Sequence, residues 1–458
     1  PEDPNRQKPL WHVNIDRLNL SKTAFSLHLP GDTMSVHARF TKAVAKGTEL
    51  LLHDNIYKVA DLDWQGGTFS YDQNYVRRVR QGFDAAHMAM RDVNIGIDSF
   101  LYAAPKLSLR VRTANFRERS GLVLNDFRGA FAMDSTHIRL PGLRLQMPGT
   151  ELAGRFEMDM NAFADDHPGQ LSARIDGYLS LADLRPFLTS IPGNIRRALS
   201  TGRVTVQGQL EGNLRSVSFR QLHLSLPGCF DLTGTGWVAD MMRGSGHLRS
   251  DLHLKGTVGN IDFINSLLPK AVRRMVSIPH GIGLDGTVHV RKTLYTGRMR
   301  LTQGGGRIWM DGACNTATGL YRLTADASAF PLQHFLPHMG LSPFSGFVRT
   351  QGHGTDFMNP RSSVNLSLRI QRFKYGKYVL DGLNGDVSKH GEQLSAHIKS
   401  TNRMLGGDFS YRGQMNAKSV NGHVRGWLRR VDLHALGMMK ERYVVSTWAD
   451  VDVRSDMA

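Results

Sequence analysis

The sequence predicts a mainly all-β protein of antiparallel strands with a few short helices. Apolar residues recur at every second position, as in 143–147 and 156–160, and this period gives a strand one apolar and one polar face. Glycine accounts for 47 of 458 residues, above the usual ~7%, and many glycines fall at predicted turns and strand starts. A repeated order of strands and glycines favours one elongated sheet over several separate globules.

The repeat is clearest between residues 143 and 188. An alternating strand ends at Pro148-Gly149, two further alternating strands follow, and the unit closes on a short helix start at 182–188. The same order returns three times at variable spacing, over 222–264, 304–336 and 406–436. Internal repetition with variable insertions predicts a repeat architecture.

The lengths of these repeated units divide the chain into two regions. Residues 1–120 hold the N-terminal part of the sheet with short strand repeats, and 121–458 continue it with longer repeats. Short helical insertions are predicted near 183–199, 262–276 and 331–339 in the second region. Asp183 is of a type that caps the first of these helices, and Pro269 interrupts the second.

The charge is strongly positive, with a formal net value of +17. Arginine and lysine are spread along predicted strands, as in 77–80 and 107–112, and do not form tracts. This pattern favours the solvated polar faces of sheets and leaves open an anionic membrane surface. No motif indicates nucleic acid, so no nucleic-acid partner is predicted.

No constellation of residues predicts catalysis, a cofactor or a metal. The 19 histidines are scattered singly along strands, without metal-ligand spacing, and neither a G-x-S-x-G elbow nor a P-loop is present. Cys229 and Cys314 are predicted to be unpaired and mostly buried. An enzyme is therefore the least supported class, and no cofactor is predicted.

The apolar faces of the strands are the candidate functional feature. They could pack as an ordinary core, or they could line a trough for acyl chains, each buried methylene contributing ~0.8 kcal/mol. Periodicity does not separate these two interpretations. The candidate inward-facing residues are Phe69, Tyr71, Phe156, Met158, Met160, Ile308, Met310, Phe409 and Tyr411.

Three segments carry a resemblance to a known family. They are 59–72 (VADLDWQGGTFSYD), 143–154, and the closing motif 182–188 (ADLRPFL) with its later echoes. Together with the repeated strand order, they make the sequence resemble the AsmA-like superfamily. Within that superfamily it is similar to the TamB-type translocation and assembly module proteins of double-membrane bacteria.

This resemblance implies a long, twisted antiparallel sheet curled into a taco-like groove with an apolar interior. It implies a bridge-like periplasmic conduit that carries phospholipid between the inner and outer membranes in cell-envelope biogenesis. An N-terminal anchor in the inner membrane is implied outside this sequence, which begins without methionine and is predicted to be a piece of a longer protein.

Two other functions remain open. The resemblance also links such proteins to an outer-membrane β-barrel assembly protein, so a scaffold or chaperone that pairs with nascent barrel strands through its sheet edges is the main alternative. A weaker alternative is an extracellular β-solenoid or sandwich adhesin with a dry interior.

Overall fold

The computed structural model describes residues 11–28, 33–162, 164, 166–187, 202–213, 215–240, 247–260, 277–354, 356, 359–416 and 419–456. The chain divides into two compact units, residues 1–227 (unit 1) and 228–458 (unit 2). Each unit is an antiparallel β-sheet.

Unit 1 begins with four unusually long strands of 17 residues each, β1 to β4. Its strands are β1 (His12–His28), β2 (Ser35–Leu51), β3 (Ile56–Asp72), β4 (His87–Ala103), β5 (Lys106–Glu118), β6 (Val123–Leu124), β7 (Asp126–Met133), β8 (His137–Gln146), β9 (Glu151–Asp159), β10 (Leu171–Ser180), β11 (Arg203–Asn213) and β12 (Ser216–Leu226).

The described part of unit 2 contains strands of more even length and one short helix, α1 (Leu332–Phe335). Its strands are β13 (Phe230–Ala239), β14 (Arg249–Val258), β15 (Ile282–Arg291), β16 (Leu294–Gln303), β17 (Gly306–Asn315), β18 (Leu320–Phe330), β19 (Phe344–His353), β20 (Ser363–Arg372), β21 (Lys374–Tyr375), β22 (Tyr378–Val379), β23 (Leu383–His390), β24 (Gln393–Thr401), β25 (Leu405–Met415), β26 (Ser419–Asp432) and β27 (Val444–Asp456).

Strands pair with their neighbours in chain order in both units. In unit 1, β5 pairs with both the short β6 and β7. In unit 2, β20 pairs with β23, and β21 and β22 form a separate small hairpin between them. Among the described residues no pairing joins the first and last strands of either unit, so each sheet is open. The all-β antiparallel prediction is confirmed, and an open sheet of this kind fits the predicted groove.

The longer strands run through positions that the sequence suggested as breaks. Gly66 and Gly67 look like a turn between two short strands, but β3 continues through them without a register shift, with Phe40 opposite Gly67 and Lys42 opposite Gln65. The indole N–H of Trp64 donates to the carbonyl of Gly66, and the Gly66 N–H donates to Asn94 Oδ1. These side-chain bonds satisfy the N–H and the carbonyl of Gly66, where β3 departs from regular strand geometry with a φ of +66°.

The predicted helical insertions are only partly within the described residues. Helix α1 lies inside the predicted 331–339. Of 183–199, the described part contains a 3₁₀ turn at Arg185–Phe187, and Asp183 accepts the Gly149 N–H at 2.8 Å. Residues 188–199 and the whole insertion at 262–276 lie outside the described residues.

Strand directions alternate, so every second connection lies at the same end of its sheet. In unit 1 the long connections after β3 and β10 share one end. The two connections are in contact. The Phe83 N–H donates to the Pro186 carbonyl, and the ring centroids of Phe83 and Phe187 lie 5.2 Å apart. In unit 2 the connections after β18, β20 and β26 share one end, which we call the insertion rim of that unit. No helix in the described parts of the chain is both long and apolar enough to cross a membrane.

Candidate functional site

The register places apolar residues directly opposite one another across the whole of unit 1. In an antiparallel sheet, directly opposed residues point to the same face. One such row contains the predicted Met158. It runs Val13, Leu50, Tyr57, Tyr102, Leu107, Met133, Ile138, Met158, Leu171, Gly212 and Val217. Every member is apolar or aromatic.

Unit 2 has a similar row, and it contains two predicted residues, Met310 and Phe409. It runs Gly234, Leu254, Gly286, Met299, Met310, Ala325, Val348, Leu368, Gly385, Ile398, Phe409, Gly426 and Ala449. No member is polar over thirteen strands. At ~4.8 Å per strand step, the row is about 60 Å long. We call the side of each sheet that bears these rows the apolar face of that unit.

The large side chains of the apolar faces are only half-buried. Phe69, Tyr71, Phe156, Met158, Ile308, Met310, Phe409 and Tyr411 are all of this intermediate kind. The fully buried apolar residues are mostly small, such as Ala173, Ala325 and Ala327. In a closed sandwich the large side chains would be the most buried. The apolar faces are therefore lined by large side chains that remain partly accessible.

Met160 differs from the other predicted residues. It lies just beyond β9 in a turn, where its N–H donates to the Thr136 carbonyl, and it is 45% exposed.

The remaining candidates form four pairs, and the two members of each pair lie two residues apart on one strand. The pairs are Phe69 with Tyr71, Phe156 with Met158, Ile308 with Met310, and Phe409 with Tyr411.

Sequence reasoning missed the cross-strand partners of these pairs. Met299 lies opposite Met310, and Leu301 lies opposite Ile308. Ile398 lies opposite Phe409, and Met90 lies opposite Phe69. Each of these residues belongs to an alternating segment, so the sequence did indicate that it faces one side of a strand. Only the register shows which segments are neighbours.

Four members of the unit 2 row are glycines inside strands, Gly234, Gly286, Gly385 and Gly426. Gly426 has a φ of +148°, and a Cβ built on it would lie 2.4 Å from the Asp408 carbonyl oxygen. At Gly286, a Cβ would lie 2.2 Å from the Arg298 carbonyl oxygen. A side chain at either position would collide with the neighbouring backbone. These glycines are required inside strands, where the sequence had suggested turns and strand starts.

The insertion rim of unit 2 covers a small apolar cavity. Its volume is about 130 Å³. Asn402 stands at its edge but turns its polar atoms to the backbone, donating to the Val379 and Asp381 carbonyls and accepting the Met404 N–H. The cavity is lined by Tyr378, Val379, Leu380, Leu383, Ile398, Ser400, Asn402, Met404, Leu405, Phe409 and Leu436. It opens off the unit 2 row, since Ile398 and Phe409 belong to both.

A buried lysine lies near the opposite end of the same sheet. Lys389 lies on the apolar face opposite Val364 and Leu394 and is 0% exposed. Its Nζ donates to the Gly391 carbonyl at 2.5 Å and to Ser362 Oγ at 3.2 Å. These acceptors allow a buried ammonium at the end of an apolar surface.

The other side of each sheet, its polar face, carries cross-strand ion pairs. Arg112 reaches Asp63 at 2.6 Å and also contacts Asp98. His397 binds Asp408 at 2.7 Å, and this bond, opposed by partial desolvation, lowers the pKa of the Asp408 carboxyl. Exposed pairs of this type contribute little to stability but keep this face hydrated.

A buried polar group lies at the start of β4. His87 is 3% exposed and its Nδ1 lies 3.0 Å from Asp84 Oδ2, which also accepts the Val79 N–H at 2.9 Å. Burial by itself would raise the pKa of Asp84, but the Val79 N–H and His87 outweigh it, so the pKa is lowered. This group fixes the connection between β3 and β4.

The described residues offer little for covalent or metal chemistry. No group of three or more histidine, cysteine or acidic side chains in the described ranges could hold a metal ion. Both cysteines are free, as predicted, but Cys229 is half-buried and Cys314 is exposed. The prediction of mostly buried thiols is wrong for Cys314, because β17 belongs to a sheet that is accessible from both sides.

No family model, no curated protein and no solved structure matches this chain.

Proposed function

We propose that this chain is a lipid conduit that carries phospholipid acyl chains along the apolar faces of its sheets. The observation that carries the proposal is the unit 2 row, in which thirteen directly opposed residues are all apolar while its largest side chains stay half-buried. Val348 and Leu368 pack on the buried cluster around Phe330 and Phe344, but other large members of the row, such as Met310 and Phe409, stay partly accessible to a ligand.

The geometry supports movement along the sheet as well as binding. An acyl chain on the row makes non-directional contacts worth ~0.8 kcal/mol per buried methylene, and one step across strands replaces each contact with a similar one. No polar side chain interrupts the row. The headgroup stays at the edge of the sheet, in water, because burying it unpaired would be costly.

The resemblance to TamB-type proteins also suggests where in the cell such a conduit would act. On that basis we propose a bridge-like periplasmic protein, anchored in the inner membrane through a segment outside this sequence, that transfers phospholipid toward the outer membrane. An outer-membrane β-barrel assembly protein is the further partner that the resemblance suggests.

Native mass spectrometry with lipid extraction tests the binding step. Ile308→Asp and Met158→Asp each place a carboxylate on an apolar face at a half-buried position, where the sheet should still form. We expect about tenfold less bound phospholipid, since desolvating a carboxylate beside an acyl chain costs at least ~1–3 kcal/mol.

Trp309→Asp is the matched control. Trp309 is the next residue along β17, lies on the polar face and is 44% exposed. Its substitution should leave the bound phospholipid unchanged. If the purified protein carries no lipid, or if all three variants carry as much as the wild type, the conduit proposal fails. Binding of unfolded barrel strands by lipid-free protein would then favour the scaffold alternative.

A further inference from the structure

Four arginines form a patch in the middle of the polar face of unit 1. Arg128 on β7 lies directly opposite Arg144 on β8, and Arg155 on β9 lies directly opposite Arg174 on β10. Ala153 lies opposite Arg144 and stands two residues from Arg155, so the two pairs occupy neighbouring rows. We call these four residues the arginine array. All four are exposed.

The arrangement is unfavourable for the isolated sheet. Like charges directly opposite one another on antiparallel strands are destabilising, because their Cβ atoms lie only ~5 Å apart. Arg128 has a carboxylate partner, Asp126. For Arg144, Arg155 and Arg174, no carboxylate among the described residues lies within ion-pair distance.

The nearest acidic side chains are held by other groups. Glu157 binds Arg139 at 3.3 Å, and Asp176 accepts a hydrogen bond from Gln207 at 2.7 Å. Glu151 accepts the Tyr178 hydroxyl at 3.0 Å. The array therefore keeps most of its positive charge facing outward.

The array cannot serve headgroups of lipids on the apolar face. Arg155 alternates with Phe156, so the two side chains leave opposite sides of β9. An anion that binds the array must approach the back of the sheet.

We propose that the arginine array docks the back of unit 1 on an anionic lipid bilayer through phosphate-bearing headgroups. Guanidinium groups match phosphate oxygens in a two-pronged geometry. The array spans about 15 Å across four strands in two rows, a flat patch suited to a flat charged surface. Its immediate neighbours, Ala153 and Gln209, are not the aromatic anchors that protein interfaces use.

Vesicle co-sedimentation tests this docking with the whole chain. The vesicles contain either phosphatidylcholine alone or equal parts phosphatidylcholine and phosphatidylglycerol. The test variant combines Arg144→Gln, Arg155→Gln and Arg174→Gln, which removes charge repulsion and should not lower thermal stability. We expect its affinity for the anionic vesicles to fall by about tenfold to a hundredfold, since each arginine near such a surface is worth up to ~1 kcal/mol.

A matched control removes the same charge from the polar face of unit 2, through Arg300→Gln, Arg322→Gln and Arg369→Gln. This control should bind anionic vesicles nearly as well as the wild type. Binding to phosphatidylcholine alone should be absent, and added salt should weaken binding to the anionic vesicles.

Three results would overturn the proposal. They are equal losses in the two triple variants, no binding of the wild type to anionic vesicles, and binding of soluble polyphosphate without binding of vesicles. Bound phospholipid measured by mass spectrometry should be the same in both triple variants, so this test can fail while the conduit proposal stands.

Discussion

At the scale of single residues, burial separates structural polar groups from solvated ones. Asp84 and His87 are both buried and bonded to each other, whereas the ion pairs of the polar face, such as that of Arg298 with Asp311, are largely exposed. The lowered pKa of Asp84 therefore makes the stability of the β3–β4 connection depend on pH.

Asp84→Asn should lower the free energy of unfolding at neutral pH by about 1–2 kcal/mol, since hydrogen bonds to a charged acceptor are stronger than those to an amide. The lowered pKa of Asp84 means that its ionised form stabilises the fold above the ordinary carboxyl pKa of ~3.9. This stability is lost as pH falls through the folded-state value. Urea unfolding at neutral and acidic pH should show the difference between variant and wild type shrinking on acidification.

Asp54→Asn serves as the control, because Asp54 lies in the exposed turn between β2 and β3. It should change the free energy of unfolding little at either pH. A difference for Asp84→Asn that stays constant from neutral to acidic pH would contradict the assigned role of the carboxylate.

At the scale of elements, the sequence predicted the presence of strands better than the residues at which they begin and end. The alternation at 143–147 falls within and just after β8, and that at 156–160 covers the end of β9. Strand lengths in the first region were underestimated, because glycines inside a long strand look the same in sequence as glycines that make a turn. The pairing of β3 with β2 on both sides of Gly66 and Gly67 distinguishes the two cases.

The connections at the insertion rim of unit 2 are held together by local contacts. The Gly376 N–H donates to the Gly340 carbonyl, and Leu332 and Phe335 of α1 pack on a core cluster that includes Phe330 and Phe344. The apolar cavity lies at the same end of the sheet, where Tyr378, Val379 and Leu380 of the connection after β20 and Leu436 of the connection after β26 line it. The sequence predicted a helix at 331–339 but gave no sign of the cavity.

The cavity should bind small apolar molecules. Mainly apolar side chains line it, and its volume of about 130 Å³ is close to that of apolar cavities that bind benzene or xenon. Benzene at ten times its dissociation constant should raise the free energy of unfolding by ~1.4 kcal/mol. Thermal unfolding with and without benzene measures the effect.

Leu436→Phe should abolish the benzene effect by filling the cavity, since Leu436 lines it from the connection between β26 and β27. Leu366→Phe is the control, because Leu366 is equally half-buried on β20 but does not line the cavity. An undiminished benzene effect in Leu436→Phe would show that benzene binds elsewhere.

At the scale of the whole molecule, the proposed function makes stability depend on lipid. A ligand that binds only the folded state stabilises it by ~2.7 kcal/mol at a hundred times its dissociation constant. Lysophosphatidylcholine added to delipidated protein should therefore raise the midpoint of thermal unfolding by about 5–10 °C.

Glycerophosphocholine, which has the same headgroup and no acyl chain, should leave the midpoint unchanged. Ile308→Asp should reduce the shift caused by lysophosphatidylcholine. Equal shifts with both compounds would show that the headgroup alone is recognised, contrary to binding on the apolar faces.

The sequence by itself determined the fold class, because a two-residue apolar period is a local property of strands that have one apolar and one polar face. The alternating segments also yielded the groove candidates, and the register places Met158, Met310 and Phe409 in the apolar rows. That the candidates bind lipid stays a prediction. The position of Met160 in a turn, the exposure of Cys314 and the path of β3 through Gly66 and Gly67 were decided only by the tertiary structure.

Register explains the difference. Whether Met310 faces Met299, whether Gly286 and Gly426 fall into the same row, and whether Arg155 meets Arg174 all depend on which strands pair and at which residue. A shift of one residue would turn every side chain of a strand to the other face. Long-range pairing is therefore what converts an alternating sequence into one continuous apolar surface and one charged one.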